Sequence, residues 1–261
     1  QDVPEDPILQ NFVKYHRLVA DFDGRERAGV TPAMPLVEEY KALSSFKEFA
    51  AKIAEYEMAG KPNAFTFDVA PDFMNAKMNV LWADAPGIIL PDTTYYEEGN
   101  EKGKELLTIW RKMQEELLPK FGFSAEETKD ILDKYLELDA KLAKYVLSNE
   151  ESSEYVKLYH PYDWADFTKL APELPLDAIF TEILGQVPDK VIVPQERFWK
   201  DFAAECYSEK NWEHLHAALK LFSTGAWTSL LTEEIRVLSG TYARAISGVP
   251  EPRPKEKAAL A

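Results

Sequence analysis

Apolar positions recur every three to four residues along most of the chain, which predicts helix. Asp6-Pro7 reads as an N-cap followed by proline at the first helical position, where its missing N–H costs nothing. Leu9, Phe12, Tyr15 (or His16) and Val19 then keep helical spacing, and Asp23-Gly24 is expected to end the run. Thr31-Pro32 opens a second helix through Leu43. Ser45-Phe46-Lys47-Glu48 reads as a capping box whose helix closes at Gly60. The period then changes. Phe65-Thr66-Phe67-Asp68-Val69 and Asn79-Val80-Leu81-Trp82-Ala83 alternate and are rich in aromatic and β-branched residues. They predict a small antiparallel β-hairpin near residues 64–83, its loop running through Pro71 to Asn75.

Two long helices follow. One spans Glu101 to about Phe121, with Leu106, Ile109, Trp110, Met113 and Leu117 on its apolar face. The other starts at the capping box Ser124-Ala125-Glu126-Glu127 and runs to about Leu147, presenting Ile131, Leu132, Tyr135, Leu138, Leu142 and Tyr145. Tyr159 to Pro175 reads as irregular with a short helix, and Leu176 to Leu184 as a helix stopped by Gly185. Val191-Ile192-Val193 is a short extended run, and helices return from Glu196 to Ser247-Gly248. Pro250 to Lys257, with three prolines and alternating charges, reads as a connection. The expected fold class is mainly α: one multihelical domain over residues 1–261 with a small antiparallel β-hairpin near residues 64–83.

Composition narrows the function. The 261 residues are 46% hydrophobic and 12% aromatic, enough for a packed core and too much for a disordered chain. The net charge of −15 offers no basic stripe for a phosphate backbone, so no nucleic acid partner is expected. No apolar run spans a bilayer, and residues 1–6 lack the basic start of a secretory leader, so no membrane partner is expected either. The single Cys206 cannot form an internal disulfide, which fits a reducing compartment. Gln1 in place of Met suggests a piece of a longer chain.

Candidate chemistry is sparse. The histidines are followed by Arg17, Pro161, Leu215 and Ala217, so no His-Glu-x-x-His zinc helix is present. His214 and His216 point roughly 200° apart on a helix and cannot share a metal there; they read as structural or surface residues. Cys206, flanked by Ala203, Ala204 and Tyr207, reads as a small packed hydrophobe. The acidic pairs Glu97-Glu98, Glu115-Glu116, Glu126-Glu127, Glu150-Glu151 and Glu233-Glu234 read as solvated faces, and the aromatic stretch Tyr155 to Trp164 as packing before a binding wall. No catalytic, cofactor-binding or metal-binding residue is assigned within the chain, and substrate-binding residues stay unassigned.

Short blocks spread over nearly the whole chain carry a resemblance. They are Asp21-Phe22-Asp23 with Arg25, Gly29 and Pro32; Leu90-Pro91-Asp92-Thr93-Thr94-Tyr95-Tyr96; Lys141-Leu142-Ala143-Lys144 with Ser148, Glu151, Tyr159 and Pro161; Val191-Ile192-Val193-Pro194-Gln195 with Phe198; Leu238-Ser239-Gly240; and Arg253-Pro254-Lys255. In this order they resemble the non-catalytic helical region of the neprilysin family of zinc metalloendopeptidases, most closely its bacterial oligopeptidase O type. The resemblance implies a helical cap domain that faces a zinc domain, encloses a chamber for oligopeptides and is inactive alone. Zinc would belong to the full-length parent and none to this segment, whose partner would be the missing catalytic domain of the same polypeptide. Such a cap would expose an apolar surface where that partner docks. Asn63-Ala64-Phe65 resembles the family's substrate-binding Asn-Ala-aromatic motif but stands in the wrong part of the chain and reads as a decoy. The near absence of cysteine points to a bacterial, cytoplasmic member, with surface export as the other route. The alternative from another class is a stand-alone helical peptide-binding or chaperone-like module, which would carry a self-sufficient polar surface.

Overall fold

The computed structural model describes residues 6–259; residues 1–5 and 260–261, with the readings made of both chain ends, lie outside the described residues. Helix α1 (Pro7–Ala20) begins as predicted, the Asp6 carboxylate accepting from Ile8 N at 2.7 Å and Leu9 N at 3.3 Å. It ends before Asp23-Gly24. The chain turns at Asp21, whose Oδ1 accepts from Gly24 N at 2.9 Å and so caps α2 (Phe22–Ala28). Gly24 therefore lies inside a helix, where a Cβ would come within 2.2 Å of the capping carboxylate. A 3₁₀ turn, Thr31–Ala33, leads into α3 (Met34–Lys41).

The single helix expected from Ser45 to Gly60 is two, α4 (Phe46–Ala50) and α5 (Ile53–Met58), with a turn between. Ser45 Oγ accepts from Glu48 N at 3.1 Å, but Glu48 reaches back to Ser44 N and Oγ, so the reciprocal half of the box is displaced by one residue. The hairpin is β1 (Thr66–Asp72) and β2 (Asn75–Asp84), with Phe67 opposite Ala83 and a tight turn at Phe73-Met74. Its strands outrun the alternating pattern because residues 75–79 of β2 are exposed, so no buried face imposes a period of two.

In α6 (Glu101–Leu117) the helix tightens into a 3₁₀ turn at Leu118–Phe121, where Pro119 has no N–H to continue it. A complete Ser124–Glu127 capping box starts α7 (Ala125–Leu142). It stops short of Leu147, because Arg197 takes the carbonyls of Tyr145 (3.3 Å) and Val146 (2.7 Å) and Gln195 takes Leu147 N (2.8 Å). After α8 (Asn149–Ser153), the stretch read as irregular holds a strand, β3 (Pro161–Asp163), and then α9 (Trp164–Phe167). Helix α10 (Leu176–Leu184) ends at Gly185 with φ +79°, as predicted, and β4 (Lys190–Ile192) follows. The remaining helices are α11 (Glu196–Asp201), α12 (Ala203–Cys206), α13 (Trp212–Gly225), α14 (Glu233–Ser239), α15 (Thr241–Ser247) and α16 (Lys255–Ala258).

The fold is mainly α, and the hairpin belongs to a four-stranded mixed sheet of order β1-β2-β4-β3. Strands β2 and β4 run parallel; the outer pairs are antiparallel. One core gathers the sheet, α4, α5 and α9–α12 around Phe49, Tyr56, Phe167, Trp199 and Tyr207. A second lies among α3, α6, α7 and α14 around Trp110, Leu118, Phe121 and Leu132. Helices α7 and α13 feed both: Leu138 and Leu215 face the first, Leu132 and Leu221 the second. The segment read as a free connection makes contacts. Arg236 donates to Arg253 O at 2.8 Å, and Lys255 Nζ sits 4.7 Å from the Phe22 ring centroid.

Candidate functional site

The histidine pair on α13 divides as its spacing requires. His214 meets Glu137 Oε2 on α7 at 3.0 Å, while His216 Nε2 donates to Tyr40 O on α3 at 2.8 Å and stacks on Trp212 with ring centroids 4.7 Å apart. Burial lowers His216 to about 4, so it is neutral at pH 7. Cys206 is buried in the first core, and burial pushes its thiol up to about 12, which removes the thiolate a nucleophile needs. In Asn63-Ala64-Phe65, Ala64 O accepts from Tyr207 OH at 3.0 Å and the Phe65 ring stacks on Tyr207 at 4.4 Å. Both contacts belong to the packed core.

The acidic pairs are mostly exposed, and several of their members have structural partners. Glu127 and Glu151 complete capping boxes, Glu115 pairs with Arg111, Glu233 with Arg236 and Glu234 with Lys120. In the aromatic stretch, Trp164 is buried and donates to Asp177 at 2.6 Å. Tyr162 donates to Glu196 at 2.5 Å and Tyr159 to Asp72 at 2.8 Å, while Tyr155 is left exposed. Among the described residues no group of three His, Cys, Asp or Glu could hold a metal.

The blocks that carry the resemblance turn out to be joints. Arg25 donates to three carbonyls, Val19 (3.0 Å), Ser229 (2.8 Å) and Leu231 (2.9 Å), tying α2 to the turn before α14. In Leu90–Tyr96 two acids anchor the segment. Asp92 accepts from Thr94 N at 2.9 Å and from Asn149 N at 2.6 Å, joining it to α8. Asp139 of α7, only 2% exposed, accepts from Tyr96 OH at 2.6 Å and Ile89 N at 2.8 Å. Tyr96 OH in turn accepts from Leu90 N at 3.1 Å, and Tyr242 donates to Ile89 O at 2.6 Å. Burial raises Asp139 to about 6 against the hydrogen bonds that hold its charge.

Sequence reading missed Asp139. The available signal was a carboxylate at a core position of the helical period, between Tyr135, Leu138 and Leu142. It also missed Asp72, placed in the hairpin loop. That carboxylate holds Met74 N, Tyr159 OH and Lys190 Nζ together and sits at about 2, chiefly because of the Lys190 ammonium.

The fold also leaves apolar surface exposed. On α1 only Val19 is buried; Ile8 (78% exposed), Phe12 (61%) and Leu18 (71%) face outward together with Leu9 and Tyr15. Tyr15 and Leu18 also line a cavity of about 390 Å³ with Pro32, Trp227 and Leu230. The apolar stripe of this helix therefore finds no core among the described residues. No described helix is long and apolar enough to cross a membrane.

Comparisons with known proteins agree with one another. Residues 2–261 match the sequence profile described as peptidase family M13. A Streptococcus gordonii protein named as a zinc metalloproteinase is 61% identical over 257 residues, covering 98% of this chain and 45% of its own length. The neutral endopeptidase of Lactococcus lactis subsp. cremoris is 33% identical over 260 residues, covering 98% of this chain and 41% of the relative. Among solved structures, PepO from Lactobacillus rhamnosis superposes with a TM-score of 0.91 at 22% identity, over 98% of this chain and 41% of that one. A Mycobacterium tuberculosis zinc metalloprotease bound to an inhibitor superposes with a TM-score of 0.83 at 18% identity, over 97% of this chain and 38% of its own. Identities this low speak for the fold alone. The chain spans less than half the length of these relatives.

Proposed function

The chain belongs to peptidase family M13, as part of its N-terminal region, and from that premise we propose that it is the helical cap of a bacterial zinc endopeptidase acting on oligopeptides. In this reading residues 1–261 form one domain, inactive alone, and the zinc ligands and general base lie in the part of the polypeptide that the relatives have and this chain does not span. The cap acts by architecture: it faces the zinc domain and walls a chamber that admits flexible peptides and excludes folded proteins. The single cysteine supports a cytoplasmic place in the cell, with surface export as the other route.

The observation that carries it is the exposed apolar face of α1, which is continued by Trp227 across a shared cavity. A stand-alone module would bury or polarise that face. The net charge of −15 is compatible with a wall that peptides slide along. The test compares intact mass and cleavage of a fluorogenic peptide for this chain and for the complete polypeptide encoded with it, each with and without added zinc. Cleavage only by the longer form, abolished by a chelator, is expected. Cleavage by the 261-residue chain itself would overturn the proposal, and so would a complete polypeptide that ends at Ala261 and binds peptide without cutting it.

A further inference from the structure

A second apolar cavity, of about 290 Å³, opens between α5, β1 and α10. Phe65, Phe67, Leu81, Ile179, Phe180 and Leu184 form much of its wall. An apolar cavity of roughly 150 Å³ already holds a benzene-sized ring, so this one accepts a large side chain with its stem. The wall is set before any ligand arrives. The Phe67 ring meets Phe180 edge to face at 4.9 Å and packs on Trp199 at 5.8 Å, and Phe65 is stacked on Tyr207. Little ordering cost is left for binding.

Two acids, Glu57 and Asp68, stand among the lining residues, with no Lys, Arg or His among them. Asp68 is exposed and uses one oxygen on Val69 N at 2.8 Å. Glu57 differs: it is half-buried, and its carboxylate has no hydrogen bond or ion pair among the described residues. Burial alone raises its pKa. An unpaired carboxylate on the wall of an apolar cavity is a recognition element for a cation attached to an apolar group.

The neighbouring strand narrows the ligand further. β1 is the outer strand of the sheet, and Phe67, Asp68 and Val69 line the cavity. Its edge is blunted, because Asp68 takes the Val69 N–H and Pro71 offers none. Strand addition is disfavoured, so side chains must do the holding.

We propose that this cavity binds a peptide segment in which a large apolar side chain stands next to Lys or Arg, the apolar group filling the cavity and the cation meeting Glu57. The site does not rest on the peptidase reading, since binding is measured apart from cleavage. The experiment follows the anisotropy of fluorescein-labelled hexapeptides carrying Leu-Lys, Leu-Gln or Leu-Glu at their centre, added to the complete polypeptide in chelator. The Leu-Lys peptide is expected to bind at least tenfold tighter than Leu-Glu. Glu57→Gln should remove that preference and leave Leu-Gln binding unchanged, and Leu184→Trp, a rim substitution that fills the cavity, should weaken all three. Thermal midpoints show that the variants fold, and Glu57→Gln should not lower its own. Equal binding of the three peptides, or a preference that survives Glu57→Gln, would overturn the assignment. So would a complete polypeptide that binds none of them, because the cavity is then covered by the rest of the chain.

Discussion

At the scale of single residues, the buried acid Asp139 and the half-buried His216 pull stability in opposite directions with pH. Asp139 is raised from the usual 3.8 to about 6, so the folded chain holds its proton more tightly than the unfolded one. Its contribution is full below pH 4 and is lost as pH rises through 6, a swing of about 3 kcal/mol. His216 is lowered from 6.5 to about 4, so its contribution is present above pH 6.5 and lost as pH falls through 4. The two slopes oppose each other between pH 4 and 6. Asp139→Asn, which keeps an acceptor for Ile89 N, should therefore expose the His216 slope. The stability of the parent minus that of the variant is expected to fall from pH 4 to pH 6 and level off above 7, read from urea unfolding at each pH; a flat difference would refute the buried-charge account. That His214 and His216 turn to different partners was legible from their spacing alone. Asp139 was not legible, because the carboxylate draws its meaning from Tyr96 and Ile89, some forty to fifty residues away, and local pattern shows only an acid on a helix.

At the scale of elements, what could be read from the sequence is what local chemistry decides. Asp6 and Ser124 start helices through their own side chains, and Gly185 ends one with φ +79°. The end of α7 and the strand β3 escaped, because distant groups set them: Arg197 and Gln195 for the first, and pairing with β4 for the second. The third and fourth strands have only three residues each, too few for a period to show. Gly103 makes the same point by substitution. In the first turn of α6, local propensity favours alanine over glycine by about 1 kcal/mol. Yet a Cβ there would lie 1.9 Å from Tyr95 O, at the turn that carries Tyr96 to Asp139. Gly103→Ala is expected to destabilise by about 1–3 kcal/mol, since the Tyr95 backbone carbonyl cannot yield to the new Cβ as a side-chain tip would. Gly225, at the end of α13 with nothing within 4 Å of its Cβ position, is the control, and Gly225→Ala should be neutral or stabilising in the same denaturant titration. Equal effects at both glycines would mean that the Tyr95 contact does not constrain the fold.

At the scale of the whole molecule, two cores bridged by α7 and α13 account for the stability of the body, and α1 stands apart from both. A packed apolar side chain of the size of Phe12 or Leu18 is worth about 1.5–3 kcal/mol when it leaves water. Neither residue receives that here, so substituting them should cost this chain almost nothing. Phe12→Asp with Leu18→Asp is expected to leave its thermal midpoint within a degree or two, while binding of a dye that reports exposed apolar surface falls. In the complete polypeptide the proposed cap arrangement reverses the sign of the argument. There the α1 face is covered, and two carboxylates would be forced into an interface without partners, each costing several kcal/mol. The same double substitution should then lower the thermal midpoint of the longer protein and reduce kcat/KM on an oligopeptide, because a cap that no longer seats leaves the chamber open to water. The contrast between the two backgrounds is what matters. Equal tolerance in both would place α1 outside the interface and remove the main support for the cap reading. Equal damage in both would mean that α1 belongs to the core of this chain after all.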